Sequence, residues 1–238
     1  MTGTLINVGT VLAGTAVGTV IGDRLPRRLQ ETVFHSLGLV TIVIGVNAAL
    51  EAFRPALADL TRASLLIVMG SVLVGGIIGE LLGIERGLNR VGDGLKARFA
   101  HGQARFTEGF VMASLVFCVG PLTVLGSIED GLTGDYQLLA VKSLLDGFAA
   151  VAFASALGWG VGFSAIVVLV YQGALTLSAS WAAGVLSEAM IAAMTAAGGV
   201  LILGIGLRLL KLLDVRVANL LPALVLAPVS IAIVERFA

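Results

Sequence analysis

Residues Leu138–Leu157 read LLAVKSLLDGFAAVAFASAL. Twenty predominantly apolar residues at a helical rise match the roughly 30 Å hydrocarbon core of a bilayer. The stretch therefore predicts a membrane-spanning helix, and its apolar neighbours predict more of the same. Only Lys142 and Asp146 interrupt it with charge, while every other residue is apolar or small. A charge at the bilayer centre costs about 2.5–3.5 kcal/mol even on the lenient insertion scale, so such residues face a protein interior or a water-filled path. The pair stands four residues apart, on one helix face. It reads as a solute, ion or proton site in which Lys142 tethers Asp146 until a cation displaces it. The alternative reading is a buried ion pair that fixes helix register.

Composition extends this reading to the whole chain. The 238 residues are 58% hydrophobic and 13% charged, against about 25% charged in an average soluble domain. Mean hydropathy is +1.03. Formal net charge is zero, and no Lys/Arg tract suggests nucleic acid. Thirty-one glycines point to close helix–helix contacts, where small residues let backbones approach. Cys118 is the sole cysteine, so no disulfide forms within the chain, and His35 and His101 lie in no metal-binding motif. Neither a metal nor a cofactor is expected. The N-terminal stretch lacks a basic leader region, so the first apolar run reads as an uncleaved span.

Apolar runs predict an all-α integral membrane protein of about eight spans, near 4–22, 33–51, 64–83, 109–127, 138–157, 160–178, 185–207 and 217–234, forming one transmembrane domain over 1–238. Spans five and six are separated only by Gly158-Trp159-Gly160. That suits a tight hairpin or one long broken element. The longest polar connection runs from Ile84 to Thr107. Arg24, Arg27 and Arg28 follow span one; Arg86, Arg90, Lys96, Arg98 and Arg105 follow span three; Arg208, Lys211 and Arg216 follow span seven. These loops hold eleven of the fifteen basic residues. The other side has Arg54, Arg62, Arg236 and an acidic loop with Glu129, Asp130 and Asp135. Basic loops stay cytoplasmic, so both termini are expected outside.

An internal repeat relates Leu5–Gly22 to Leu66–Gly83 at an offset of 61, with eight of 18 positions identical. Four matches are glycine: Gly9, Gly14, Gly18 and Gly22 against Gly70, Gly75, Gly79 and Gly83. The hairpin 4–51 thus resembles 64–127. A shorter match pairs Glu108-Gly-Phe with Asp146-Gly-Phe, which glycine-rich helices produce easily by themselves. Internal repeats are common in transporters, with sites near the repeat interface.

Other candidates surround the central pair. Gly120-Pro121 falls within span four and predicts a broken helix, beside Cys118, Ser114 and Thr123. Freed backbone at that depth needs neighbours, water or a ligand. Tyr171 and Gln172 bring polar groups to span six. Asn7, Asn47 and Asn219 do so for spans one, two and eight, as helix-to-helix hydrogen bonds. Glu188 opens span seven, and either joins Asp146 or is an interfacial acid at a helix N-terminus. Glu51 and Arg54 suit a solvated pair. No nucleophile–base constellation and no phosphate-binding loop occur, so an enzyme is not expected.

The runs Glu108–Pro121 (EGFVMASLVFCVGP), Leu125–Asp135 (LGSIEDGLTGD), Lys142–Phe148 (KSLLDGF), Gly160–Ser164 (GVGFS) and Tyr171-Gln-Gly, with the opening MTGTLIN, resemble the bacterial inner-membrane family called domain of unknown function 554. The resemblance covers essentially the whole chain. It implies a multi-spanning inner-membrane protein and assigns no binding residues. The residues themselves favour a cation-linked channel or secondary transporter for a small solute or ion, with Asp146, Lys142, Glu188, Gly120, Pro121, Cys118, Ser114, Tyr171 and Gln172 at its site. The alternative is a non-transport scaffold or regulatory protein with a structural Lys–Asp pair. Expected partners are the lipid bilayer and a small ion or polar solute; the glycine faces serve the fold or a homodimer, and the homodimer is favoured.

Overall fold

A computed structural model describes residues 1–22, 26–58, 63–99, 105–119 and 121–237. Gly120, Arg24, Arg62 and His101 from the sequence reading lie outside the described residues. Every regular element among those described is helical. In chain order these are α1 (Thr2–Gly22), α2 (Arg27–Ala49), a 3-10 turn (Leu50–Phe53), α3 (Pro55–Ala58), α4 (Ser64–Leu82), α5 (Ile84–Phe99), α6 (Phe106–Cys118), α7 (Pro121–Leu132), α8 (Gln137–Leu157), α9 (Gly160–Leu177), α10 (Ala179–Val185), α11 (Glu188–Leu209), a 3-10 turn (Val217–Leu220) and α12 (Ala223–Phe237). Seven stretches among the described residues are long and apolar enough to cross a membrane, or eight where α6 and α7 are counted together as one broken span. Those two helices are bent by 63°. Pro121 stands first in α7, where its missing N–H is tolerated, so the chain breaks at the expected proline and restarts from it.

The polar connection after α4 is itself mostly helix. Ile84, Leu88, Val91 and Leu95 recur at helical spacing in α5, with Arg86 and Arg90 on other faces and no proline to stop it. Gly83 takes φ +65° at the end of α4. This left-handed C-cap suits glycine and turns the chain straight into α5.

Packing divides the chain into two compact units. The first comprises Met1–Leu37, Leu88–Cys118 and Leu122–Gly184. In it, Gly14, Gly18 and Gly22 of α1 abut the backbone of Gly147, Val151 and Ser155 of α8, so closely that no side chain would fit. Both sets of numbers rise together, so α1 and α8 run parallel. Asn7 and Thr4 of α1 meet Gln172 and Thr176 of α9 in reverse order, so α9 runs antiparallel to α1. Residues 138–178 are therefore two full helices in a hairpin, turned at Gly158 with φ +80°. Phe106 of α6 packs edge-on to Phe163 of α9 at 5.1 Å between centroids. Parallel α1 and α8 require an odd number of crossings between them, a number that α2, α4 and the bent α6–α7 pair, taken as one span, would supply.

The second unit comprises Gly38–Gly87, Val119–Pro121 and Val185–Ala238. Its core is built of small residues: Ala193, Ala196 and Ala197 of α11 meet Ala223, Ala227 and Ile231 of α12, with Val68 of α4. Gly38 and Gly45 of α2 abut α11 around Gly206 and Gly199. Gly75 and Gly79 abut the backbone of Ala223 and Asn219, so α4 runs antiparallel to α12. The sequence repeat thus places Gly14 and Gly18 like Gly75 and Gly79, each against a neighbour's backbone. Their partners run in opposite senses, and Gly83 has become a cap where Gly22 is a contact.

A polar clamp closes one end of this unit. Buried Glu85 accepts from Arg208 Nη1 at 2.9 Å and from the Ala218 amide at 3.0 Å. Asn219 accepts from the Glu85 amide at 2.8 Å and donates to Glu80 at 2.6 Å, while Arg216 pairs with Glu80 at 2.5 Å. Glu85→Ala leaves the Ala218 amide without its acceptor and Arg208 with its pairing to Asp214 at 3.3 Å, and is expected to cost about 1–3 kcal/mol. The midpoint of thermal unfolding in detergent reads the loss; Glu85→Gln, which keeps an acceptor for Ala218, should lose less.

Candidate functional site

The first unit buries its polar groups along one line. Asp146 and Lys142 of α8 are 9% and 5% exposed and form an ion pair. Their i,i+4 spacing brings them together, while the partners that complete the arrangement come from far along the chain. Asn7 of α1, fully buried, donates from Nδ2 to Asp146 Oδ2 at 3.0 Å and to Gln172 Oε1 at 3.0 Å. Gln172 of α9 donates to Thr4 Oγ1 at 3.3 Å, and Thr4 shares a 3.3 Å hydrogen bond with Thr176. Thr176 donates to the Gln172 carbonyl at 2.9 Å. Three helices thus share one polar thread inside an apolar bundle.

That thread is not fully satisfied. Asn7 Oδ1 is buried and accepts no hydrogen bond, and the hydroxyls of Thr15, Thr123 and Ser127 are likewise buried without a partner. Buried polar atoms are nearly always paired, because leaving one unpaired costs about 1–3 kcal/mol. The unpaired Asn7 oxygen, on the amide that holds the Asp146 carboxylate, offers a ligand for a cation or a water.

The sequence model of the family described as "Protein of unknown function (DUF554)" matches residues 2–232. The chain belongs to the DUF554 family. It is 31% identical over 237 residues to "Uncharacterized membrane protein YdfK" of Bacillus subtilis, covering 100% of this chain and 98% of that one. It is 32% identical over 246 residues to "Uncharacterized protein YqgA" of Escherichia coli, covering 99% of each. No solved structure matches. This DUF554 chain is a multi-pass membrane protein.

The structure distributes the sequence-derived site residues unevenly. Cys118, at the end of α6, lies within electrostatic reach of both Lys142 and Asp146, and Tyr171 within reach of Cys118. Gln172 joins through Asn7. Ser114, one turn before Cys118, is buried and donates to its own helix at the Phe110 carbonyl, 2.6 Å away. Pro121 opens α7, and Gly120 lies outside the described residues. Glu188 belongs to the second unit, exposed in the first turn of α11 behind the Ser187 cap; a carboxylate there complements the helix dipole. Arg54 and Glu51 pair at 2.7 Å as an i,i+3 couple.

One residue moves from loop to interior. Asp130 reads in the sequence as part of an acidic loop, yet it lies in α7, 4% exposed. Its Oδ2 accepts from the Gly3 amide at 3.2 Å and pairs with the Met1 amine at 2.8 Å. Helix α7 continues through Leu132, and Gly131 abuts the Thr176 carbonyl on α9. That contact draws this end of α7 inward. A signal was available: Thr123, Ser127 and Asp130 fall at i, i+4 and i+7, one helix face. Thr4 and Thr176 carried no comparable signal.

Proposed function

We propose that this protein moves a small ion or polar solute across the bacterial inner membrane, as a cation-linked channel or secondary transporter without enzymatic activity. The observation that carries the reading is the buried Lys142–Asp146 pair, hydrogen-bonded through Asn7 to Gln172 and bordered by an unpaired amide oxygen. Intramembrane ionisable groups are expensive to keep, and they mark solute and ion paths. Asp146 is the cation or proton ligand. Lys142 is its competing countercharge and holds the carboxylate when the site is empty. Conduction needs a bound state that is also easily left, and an internal ammonium competitor provides that. The concentration of basic loops on one side supports an orientation with both termini outside. A homodimer would have the faces at Gly9 and Gly70 to use, where nothing lies within 4 Å of a Cβ position.

The test is flux into liposomes holding the purified full-length protein, over a panel of monovalent and divalent cations, protons and small amino acids. Asp146→Asn keeps shape and one hydrogen-bond acceptor but removes the charge. Flux for one solute class in the wild type, lost in Asp146→Asn with unchanged elution and a lowered unfolding temperature, since Lys142 loses its countercharge, is the expected result. Equal flux in both proteins would sink the assignment.

A second reading is a membrane scaffold in which the same pair locks helix register. It is favoured by the fact that both charges already have partners; the glycine faces it would use as oligomer contacts are filled in large part within their own units. A structural pair tolerates joint replacement by apolar residues; a transport site does not.

A further inference from the structure

We propose that the groove between α4 and residues 215–220, the chain that leads into α12, is a binding site for one anionic phospholipid, with an acyl chain along α4 and the phosphate at Arg216. The groove lies wholly in the second unit and stands apart from the permeation reading. Its volume is about 520 Å³, inside the roughly 300–1,000 Å³ span of small-ligand sites. The α4 wall extends from Val72 to Leu81, nine residues or about 14 Å of helix. That matches one leaflet, half of the roughly 30 Å hydrocarbon core. Leu73, Ile77 and Leu81 on this wall are exposed, and α4 is apolar enough to cross a membrane, so acyl chains are the medium they meet. Leu220 stands against Gly76, with its Cδ2 2.9 Å from where a Cβ would be; the two walls meet there.

Polarity is confined to one end of the groove. Glu80, in the last turn of α4, accepts from Arg216 and Asn219. Arg216 commits Nη1 to that pair, and its side chain is still 67% exposed. A guanidinium carries five donors in a planar fork that suits phosphate oxygens. Arg86 brings a second guanidinium, folded against Gly83 at the end of α4 and within electrostatic reach of Glu80. Arg208, Glu85 and Asp214 form a cluster of their own that does not line the groove. Two cations thus border one carboxylate, and the excess is a single positive charge. An anionic phosphate diester matches it; a zwitterionic headgroup does not. Basic pockets between spans at a membrane surface take anionic headgroups in this way. The bland account is a surface salt bridge beside ordinary bulk lipid. That account predicts no headgroup preference, and no gain in lipid affinity when Glu80 is neutralised.

The experiment is native mass spectrometry of the purified full-length protein in detergent, equilibrated with phosphatidylglycerol or with phosphatidylcholine of the same chains. The wild type is expected to retain one phosphatidylglycerol, at least about fivefold more tightly than phosphatidylcholine. Arg216→Gln should weaken phosphatidylglycerol about tenfold, the loss of one close unit charge, and leave phosphatidylcholine unchanged. Glu80→Gln keeps an acceptor for Arg216 but removes the competing carboxylate; it should tighten phosphatidylglycerol about threefold. Ile77→Trp, at an exposed position on the wall, fills the chain groove and should weaken both lipids. If Arg216→Gln does not yield folded protein, Glu80→Gln decides. Equal retention of the two lipids by the wild type would overturn the site, as would a preference unmoved by Arg216→Gln or no tightening in Glu80→Gln. Lipid retention unchanged in Ile77→Trp, with a dimer reduced to monomer, would assign the groove to a second copy of the chain instead.

Discussion

Truncating Asp146 to alanine is expected to lower the stability of the folded protein by about 3–5 kcal/mol, because it strands a buried ammonium. Lys142 is 5% exposed and Asp146 is its ion-pair partner, so no nearby water takes over. Lys142→Met alone should cost a similar amount, since it strands the carboxylate with Asn7 as its remaining donor. The joint variant Lys142→Met with Asp146→Leu removes both charges and fills the same volume. It should return most of the lost stability, because a buried ion pair is replaceable by apolar packing with little net cost. Asn7 keeps its hydrogen bond to Gln172 in that variant and loses the one to Asp146, so one amide N–H is orphaned and the recovery stays short of complete. Unfolding temperature and monodispersity in detergent read the stability; liposome flux reads the function. Restored stability with no flux is the transport outcome, and restored stability with full flux would assign the pair to structure.

The pair was legible in the sequence because it is local. Two charges four residues apart in an otherwise apolar run meet on one helix whatever the surrounding fold. The same holds for the helix break, since proline excludes itself from the helix interior. Span positions were legible for a related reason: bilayer thickness dictates the length of an apolar run. What completes the site was not local. Asn7 and Asp146 are 139 residues apart, and Asn7 and Gln172 are 165 apart; a single Asn in a glycine-rich helix says nothing about whom it will face. Charge clustering also misled. Asp130 sits beside Glu129, and a pair of acids after an apolar run reads as a loop, yet α7 continues through both. Glu85 was hidden in the same way, inside a stretch rich in basic residues, although it is buried against Arg208 and the Ala218 amide. The glycine repeat gave the existence of close contacts but not their partners, because small residues permit an approach without specifying direction.

Gly79→Ala tests that last point and carries the largest expected effect on the second unit. A Cβ at Gly79 would collide with the main-chain carbonyl of Asn219. This neighbour cannot swing aside as a flexible side chain would. Asn219 sits in the 3-10 turn Val217–Leu220, and its own side chain is held at both ends, donating to Glu80 at 2.6 Å and accepting from the Glu85 amide at 2.8 Å. Glu85 in turn accepts from the Ala218 amide. Relief requires α4 to withdraw from the turn, breaking this clamp, so the cost is expected at the top of the overpacking range, about 3 kcal/mol. Gly79→Val should abolish the folded protein. Gly70 supplies the contrast from the same helix and the same repeat. Nothing lies within 4 Å of its Cβ position, and alanine favours a helix interior over glycine by up to about 1 kcal/mol. Gly70→Ala should therefore leave the unfolding temperature unchanged or raise it slightly. Opposite signs for the two alanine variants follow only if the stripe is used against the Asn219 backbone; equal and small effects would mean that Gly79, like Gly70, faces open space.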